Sequence, residues 1–166
     1  PSRMPWFALD KKIFDKWYWI PFRKYFIFVP RGEKRGEAKA LLRMLQVLRA
    51  KKHLIIFGEG GRTEKGDKFF YSEKETKRIR EFKNGIGYLI TRTGATVLPV
   101  WVEGTDNVLH AGEFFPRFWR KKIVIKIGQP FKHTTSRKHL SFQQKKIVIR
   151  GAVRMVEHAI LFLADE

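Results

Sequence analysis

The sequence predicts a single α/β domain built on a mostly parallel sheet covered by helices. Three observations carry that prediction. An apolar stretch at 26–29 is followed by residues spaced as an amphipathic helix and then by a second apolar stretch at 54–57, the strand, helix, strand order of a parallel crossover. Further apolar runs at 96–102 and 123–127 stand between segments of helical periodicity. The chain has 166 residues, 43% of them hydrophobic and 14% aromatic, enough for the core of one domain spanning 1–166 rather than a disordered tail.

In chain order, residues 4–8 read as a short strand and 11–20 as a short helix or turn closed by Pro21. Phe26, Ile27, Phe28 and Val29 form a buried strand ended by Pro30, Arg31 and Gly32. Ala38, Leu41, Leu42, Leu45 and Leu48 then recur at helical spacing, which predicts a helix with that face inward. The next strand, 54–57, is placed beside the first, so that Arg31 and the loop 59–62 leave adjacent strands at the same end, the carboxyl edge where α/β sheets bind ligands. Residues 63–80 are polar and charged without a sustained apolar period, which predicts a mobile loop. A helix is expected over 84–93. The run 96–102 reads as a strand whose Pro99 favours a strand end or an edge. Residues 104–120 look irregular, and 123–127 is a strand closed by Gly128 and Pro130. Ser141 and Gln144 form a capping box that opens a last helix, with Ile149, Ala152, Val153, Val156, Ile160 and Leu163 on its buried face.

Composition narrows the function classes. The absence of cysteine excludes disulfides, thiolate catalysis and cysteine-ligated zinc, and suits a reducing compartment. No window reaches the ~18 apolar residues of a spanning helix, and residues 1–5 lack the apolar core of a signal peptide. Thirty-five Lys and Arg against sixteen Asp and Glu give a charge of +19, which favours anionic partners. Basic residues stand beside aromatics at 16–19, 22–25 and 118–122. That pairing suits a membrane surface carrying anionic lipid, base stacking beside phosphate, or an ordinary solvated basic face.

The most chemically suggestive stretch is Phe57-Gly58-Glu59-Gly60-Gly61-Arg62, where a strand runs into a glycine-rich turn with one carboxylate and one guanidinium. Glycines let backbone N–H groups converge on an anion, and the arginine fork matches phosphate oxygens. The same residues also suit a plain strand-to-helix turn with a surface Glu/Arg pair. Neither a Walker-type loop nor a dinucleotide-binding G-x-G-x-x-G turn is present. No helix-turn-helix, zinc-finger or RNP pattern accompanies the charge, so nucleic acid is not expected as a partner.

The order of landmarks resembles the glycerophospholipid acyltransferases, the family that includes 1-acylglycerol-3-phosphate acyltransferase. Phe26-Ile27-Phe28-Val29-Pro30-Arg31 is similar to that family's apolar strand ending in an arginine, and Phe57-Gly58-Glu59-Gly60-Gly61-Arg62 to its F-P-E-G-T-R block. Val97-Leu98-Pro99-Val100 resembles the V-x-P-V strand, with Phe82-Lys83-Asn84-Gly85 as the F-K-x-G before it. Gly104-Thr105, Phe115-Pro116-Arg117 and Ile127-Gly128-Gln129-Pro130 resemble the usual tail. Departures are Gly58 for the usual proline, Gly61 for the usual threonine and Tyr25 for a common glycine, which loosen the loop and bear on acceptor preference. The family's H-x-x-x-x-D block is missing. His53, His110, His133, His139 and His158 are followed five positions later by Gly58, Phe115, Lys138, Gln144 and Leu163, so the catalytic His and Asp are expected upstream of Pro1.

The resemblance implies acyl transfer from acyl-CoA or an acyl-carrier protein to a hydroxyl of a lysophospholipid such as 1-acylglycerol 3-phosphate, in phospholipid biosynthesis. It implies Arg31 and Arg62 on the acceptor's phosphate, Glu59 structural to the site, and Gly60 and Gly61 allowing close backbone approach. Pro99 would shape a strand end beside the site, and His110 has no sequence partner that makes it a base. No cofactor and no metal is expected. The enzyme would work peripherally on the cytoplasmic face of a membrane, docked by its basic aromatic segments. The competing reading is a non-enzymatic basic domain that binds anionic lipid or nucleic acid.

Overall fold

The computed structural model describes residues 4–10, 17–30, 32–59, 68–105, 122–133 and 140–165. Strand β1 (Trp6–Asp10) leads through a 3-10 segment (Trp17–Tyr25) to β2 (Phe26–Val29), helix α1 (Lys34–Arg49) and β3 (Leu54–Ile56). β4 (Phe69–Tyr71) and β5 (Arg78–Arg80) follow, then α2 (Asn84–Thr93), β6 (Val100–Glu103), β7 (Val124–Ile127) and α3 (Phe142–Asp165). The architecture is α/β, with a parallel three-stranded sheet of order β2-β1-β3 and two antiparallel pairs, β4-β5 and β6-β7.

The expected crossover is present, but β2 and β3 are not neighbours. β1 lies between them, with Phe7 opposite both Phe26 and Ile55. Its apolar run Trp6-Phe7-Ala8-Leu9 suits the central position, where both edges are paired and both faces are at least partly covered. α1 therefore steps across β1, and its 16 residues, about 24 Å of helix, are long enough to do so. The strands still end at one edge, as the sequence predicts.

α1 turns Leu41, Leu45 and Leu48 inward as the spacing predicts, and widens that face with Ala40, Met44 and Val47. Ala40, Met44, Leu45 and Val47 are buried against Ile27 and Leu89, with Trp6, Ala8, Leu41, Leu48, Leu54 and Ile56 packed around them. Leu42 is 57% exposed and Ala38 also faces water. Met44 and Val47 fit the same period as the leucines, so the apolar arc is wider than one stripe and packing selects which side turns inward.

Residues 69–80 are not a loop. β4 and β5 form a hairpin in which Phe69 faces Arg80 and Tyr71 faces Arg78. Its turn is tied down at two points. The Lys74 ammonium donates to the Asp165 carbonyl at the end of α3, 2.7 Å away, and Lys77 pairs with Glu103 of β6. Residues 63–67 lie outside the described residues.

Other boundaries move less. The helical segment near the N-terminus runs through Pro21 rather than stopping at it, because a proline's fixed φ fits a 3-10 turn at the loss of one donor; residues 11–16 lie outside the described residues. β6 starts after Pro99, with Val97 bridging Phe131 ahead of it. The capping box is made: Ser141 N–H donates to Gln144 Oε1 at 2.8 Å and Gln144 N–H to Ser141 Oγ at 3.3 Å. α3 crosses α2 closely at Gly87, where a Cβ would stand 2.2 Å from the Ile149 carbonyl oxygen. α2 thereby joins two cores: Leu89 faces the sheet cluster, while Ile90 packs with Ile79, Phe82, Ala152, Val153 and Val156.

Candidate functional site at the carboxyl edge of the parallel sheet

Parallel pairing puts three chain exits on one edge. β1 ends at Asp10, level with Val29 of β2. β2 runs on through Pro30 to Gly32, whose N–H donates to Glu37 Oε1 at 3.2 Å across the start of α1. β3 runs on through Phe57 to Gly58 and Glu59. Of the residues singled out by sequence, Glu59 is described; Arg31, Gly60, Gly61, Arg62 and His110 lie outside the described residues. The shared edge brings the segment entering Arg31 and the segment entering Gly60 to the same side of the sheet.

Glu59 is half-buried and held by β5. Its Oε1 accepts the Arg80 backbone N–H at 3.0 Å, and its carbonyl oxygen accepts the Arg80 guanidinium. Arg80 itself is 7% exposed, a cation drawn under the turn rather than left in solvent, and hydrogen bonds of this kind to a charged partner contribute roughly 1.5–3 kcal/mol each. Glu59 thus ties this turn to β5 through a main-chain amide.

Gly58 is fixed by packing as well as by a hydrogen bond. The Phe82 ring lies over its Cα, so closely that a Cβ at position 58 would meet ring carbons at 2.3–2.5 Å. Its carbonyl accepts the Lys83 N–H at 3.4 Å. The departure from proline at this position does not loosen Gly58: the space a proline ring needs is filled by Phe82, from the F-K-x-G stretch. Two sequence blocks separated along the chain therefore meet here.

Residues 80–83 are held in turn by α3. Glu157, 1% exposed, accepts the Phe82 N–H at 2.8 Å, and Arg150 donates to the Phe82 carbonyl at 3.3 Å while pairing with Glu81. The glycine context draws notice to Glu59, whereas nothing local marks Arg80, Phe82 or Glu157 as its supports. Phe82 was visible in the F-K-x-G stretch; the only sign of the others was charge, Arg80 one residue past buried Ile79 and Glu157 beside Val156 on an apolar helix face.

His53 precedes β3 and its carbonyl accepts the Trp6 N–H at 2.8 Å, which puts it at the opposite, amino edge. His158 is on the exposed side of α3, and His133 follows the bridge residue Phe131. Among the described residues no group of three or more His, Cys, Asp or Glu is arranged to hold a metal ion. None of their helices is long and apolar enough to cross a membrane.

Comparison with known proteins adds the following. Residues 2–103 match the profile of the family described as Acyltransferase. Over 102 residues the chain is 30% identical to a Borreliella burgdorferi protein named 1-acyl-sn-glycerol-3-phosphate acyltransferase, covering 61% of this chain and 32% of that one. The crystal structure of the 1-acyl-sn-glycerophosphate (LPA) acyltransferase from Thermotoga maritima aligns with 20% identity and a TM-score of 0.47, over 92% of this chain and 56% of that one. The chain thus spans about a third of the curated relative and just over half of the solved one.

Proposed function

The chain belongs to the acyltransferase family, and from that premise we propose that the complete protein transfers a fatty acyl group from an acyl thioester to a hydroxyl of a lysophospholipid such as 1-acylglycerol 3-phosphate. The observation that carries this reading is the junction of Gly58 and Glu59 with Arg80, Phe82 and Lys83 at the carboxyl edge, inside the stretch that matches the family.

The acceptor hydroxyl oxygen attacks the thioester carbonyl and forms the new ester bond. The C–S bond breaks, the electron pair leaves with sulfur, and the hydroxyl proton passes through a base to the departing thiolate. A histidine of an H-x-x-x-x-D block ahead of Pro1 supplies that base, a step worth ~10²–10⁴ in rate. Arg31 and Arg62 hold the acceptor's phosphate and so orient its hydroxyl, the contribution of proximity. Gly60 and Gly61 let the backbone approach, and Glu59 sets where that backbone starts. The donor is acyl-CoA or an acyl-carrier protein, the product enters phospholipid biosynthesis, and the protein works peripherally at the cytoplasmic face of a membrane. Its +19 charge supports that last assignment.

The test is acyl transfer by the chain extended upstream, supplied with labelled acyl thioester, anionic lipid and either lysophosphatidate or glycerol 3-phosphate. Lysophosphatidate should yield labelled phosphatidate; labelled lysophosphatidate formed from glycerol 3-phosphate would name that acceptor instead. Folded protein that turns over neither acceptor overturns the reading and leaves a basic binding domain.

A further inference from the structure

We propose that Glu157 of α3 is a positioning residue for the Gly58–Glu59 turn, acting through residues 80–83; its kinetic consequence rests on the acyl-transfer reading above. Glu157 lies beyond the 2–103 stretch that matches the family, on an otherwise apolar helix face between Val156 and Ile160. It is 1% exposed. A carboxylate so placed is costly unless hydrogen-bonded and paired, and this one is both: Oε1 takes the Phe82 N–H at 2.8 Å, and Oε2 lies 3.3 Å from Arg154 Nη1. Arg150 Nη1 stands 3.9 Å from Oε1. The Arg154 guanidinium covers the Phe70 ring of β4 at 3.9 Å.

A buried ion pair is weak support for stability, since apolar residues of the same volume often serve as well or better. What an apolar side chain cannot do is accept the Phe82 N–H. Glu157 fixes that N–H, and Arg150 fixes the carbonyl of the same residue, so α3 holds the chain on both sides of the Phe82 Cα. On its other side the same segment meets the turn: the Phe82 ring fills the space over Gly58, Lys83 N–H bonds the Gly58 carbonyl, and Arg80 bonds Glu59. The relay runs from α3 through 80–83 to 58–59. It determines where the chain enters Gly60–Arg62, and therefore how well the acceptor is seated, without touching the thioester.

The experiment compares Glu157→Leu and Glu157→Gln in the upstream-extended protein by acyl-transfer kinetics and by amide hydrogen exchange of Arg80 and Lys83, whose N–H groups bond the Glu59 carboxylate and the Gly58 carbonyl. Glu157→Leu should raise the lysophosphatidate KM about tenfold while the acyl-donor KM and kcat stay within about twofold, the signature of lost acceptor binding. Glu157→Gln keeps an oxygen for Phe82 and should recover most of that loss. Exchange at Arg80 and Lys83 should quicken in Glu157→Leu and return toward wild type in Glu157→Gln. If Glu157→Leu does not fold, Arg150→Met loosens the same segment and should give a smaller rise in acceptor KM. Unchanged acceptor KM with lower activity in proportion to the folded fraction, or unchanged exchange at Arg80 and Lys83, overturns the proposal. A wild-type protein without turnover sinks the acyl-transfer reading instead, and the exchange measurement still decides the relay.

Discussion

At the scale of single residues, Gly58 and Phe82 are a matched pair. A methyl group at 58 would push into ring carbons at 2.3–2.5 Å, and overpacking of this kind costs about 1–3 kcal/mol. Gly58→Ala should therefore lower the unfolding free energy by that amount. Phe82→Leu, which removes the obstructing ring atoms, should make the double variant more stable than the sum of the two singles, with a coupling of about 0.5–3 kcal/mol. Urea denaturation of the four proteins measures it, and additive losses would show that the ring is not what excludes a side chain at 58. Glu59 stands out in the sequence as the one carboxylate of a glycine-rich turn. Its partner does not, since Arg80 is 21 residues away and an arginine in a charged stretch reads as solvated until a hairpin draws it inside.

At the scale of elements, the β4-β5 hairpin departs most from the pattern in the sequence. Each strand has three residues, too short for alternation to stand out, and one of the two buried positions of β5 is an arginine. Its attachment to β6 has a pH signature. The hydrogen bond from the Lys77 ammonium, aided by one from the Trp101 indole, holds the Glu103 carboxyl below its ordinary value of 4.5. A carboxylate whose folded pKa is lowered adds stability that is present above the unfolded value and lost as pH falls through the folded one. The melting temperature of Lys77→Ala should thus trail that of wild type at neutral pH, and the gap should close as pH drops below about 4.5. A gap that stays constant into acid would mean that the pair does not couple the hairpin to β6. Elsewhere the local signals sufficed: α2 and β2 follow the apolar runs, and the Ser141 and Gln144 box caps α3. The full width of α1's buried face and the insertion of β1 between β2 and β3 were not legible, because several packings satisfy the same period and only tertiary contacts choose among them.

At the scale of the whole molecule, the +19 charge and the shared exit edge of the parallel strands are the two facts the functional account joins. If the charge serves docking, where each cation near an anionic leaflet contributes ~1 kcal/mol, sedimentation with vesicles containing anionic lipid should fall steeply with added salt. The screening length shrinks from ~10 Å at 0.1 M to ~3 Å at 1 M. Binding that is indifferent to salt and to lipid charge would remove the electrostatic part of the account. The central claim is that the edge seats a phosphate so that a neighbouring hydroxyl is acylated. The most direct measurement is the ratio of kcat/KM for lysophosphatidate over monoacylglycerol, which differ by that phosphate, in the upstream-extended protein and in its Arg31→Ala variant. The account predicts a strong preference for the phosphate-bearing acceptor that shrinks by about 10–100-fold when Arg31 is removed, the loss expected for a charge-assisted contact of roughly 1.5–3 kcal/mol. Equal use of the two acceptors, or a preference that survives the substitution intact, would contradict it.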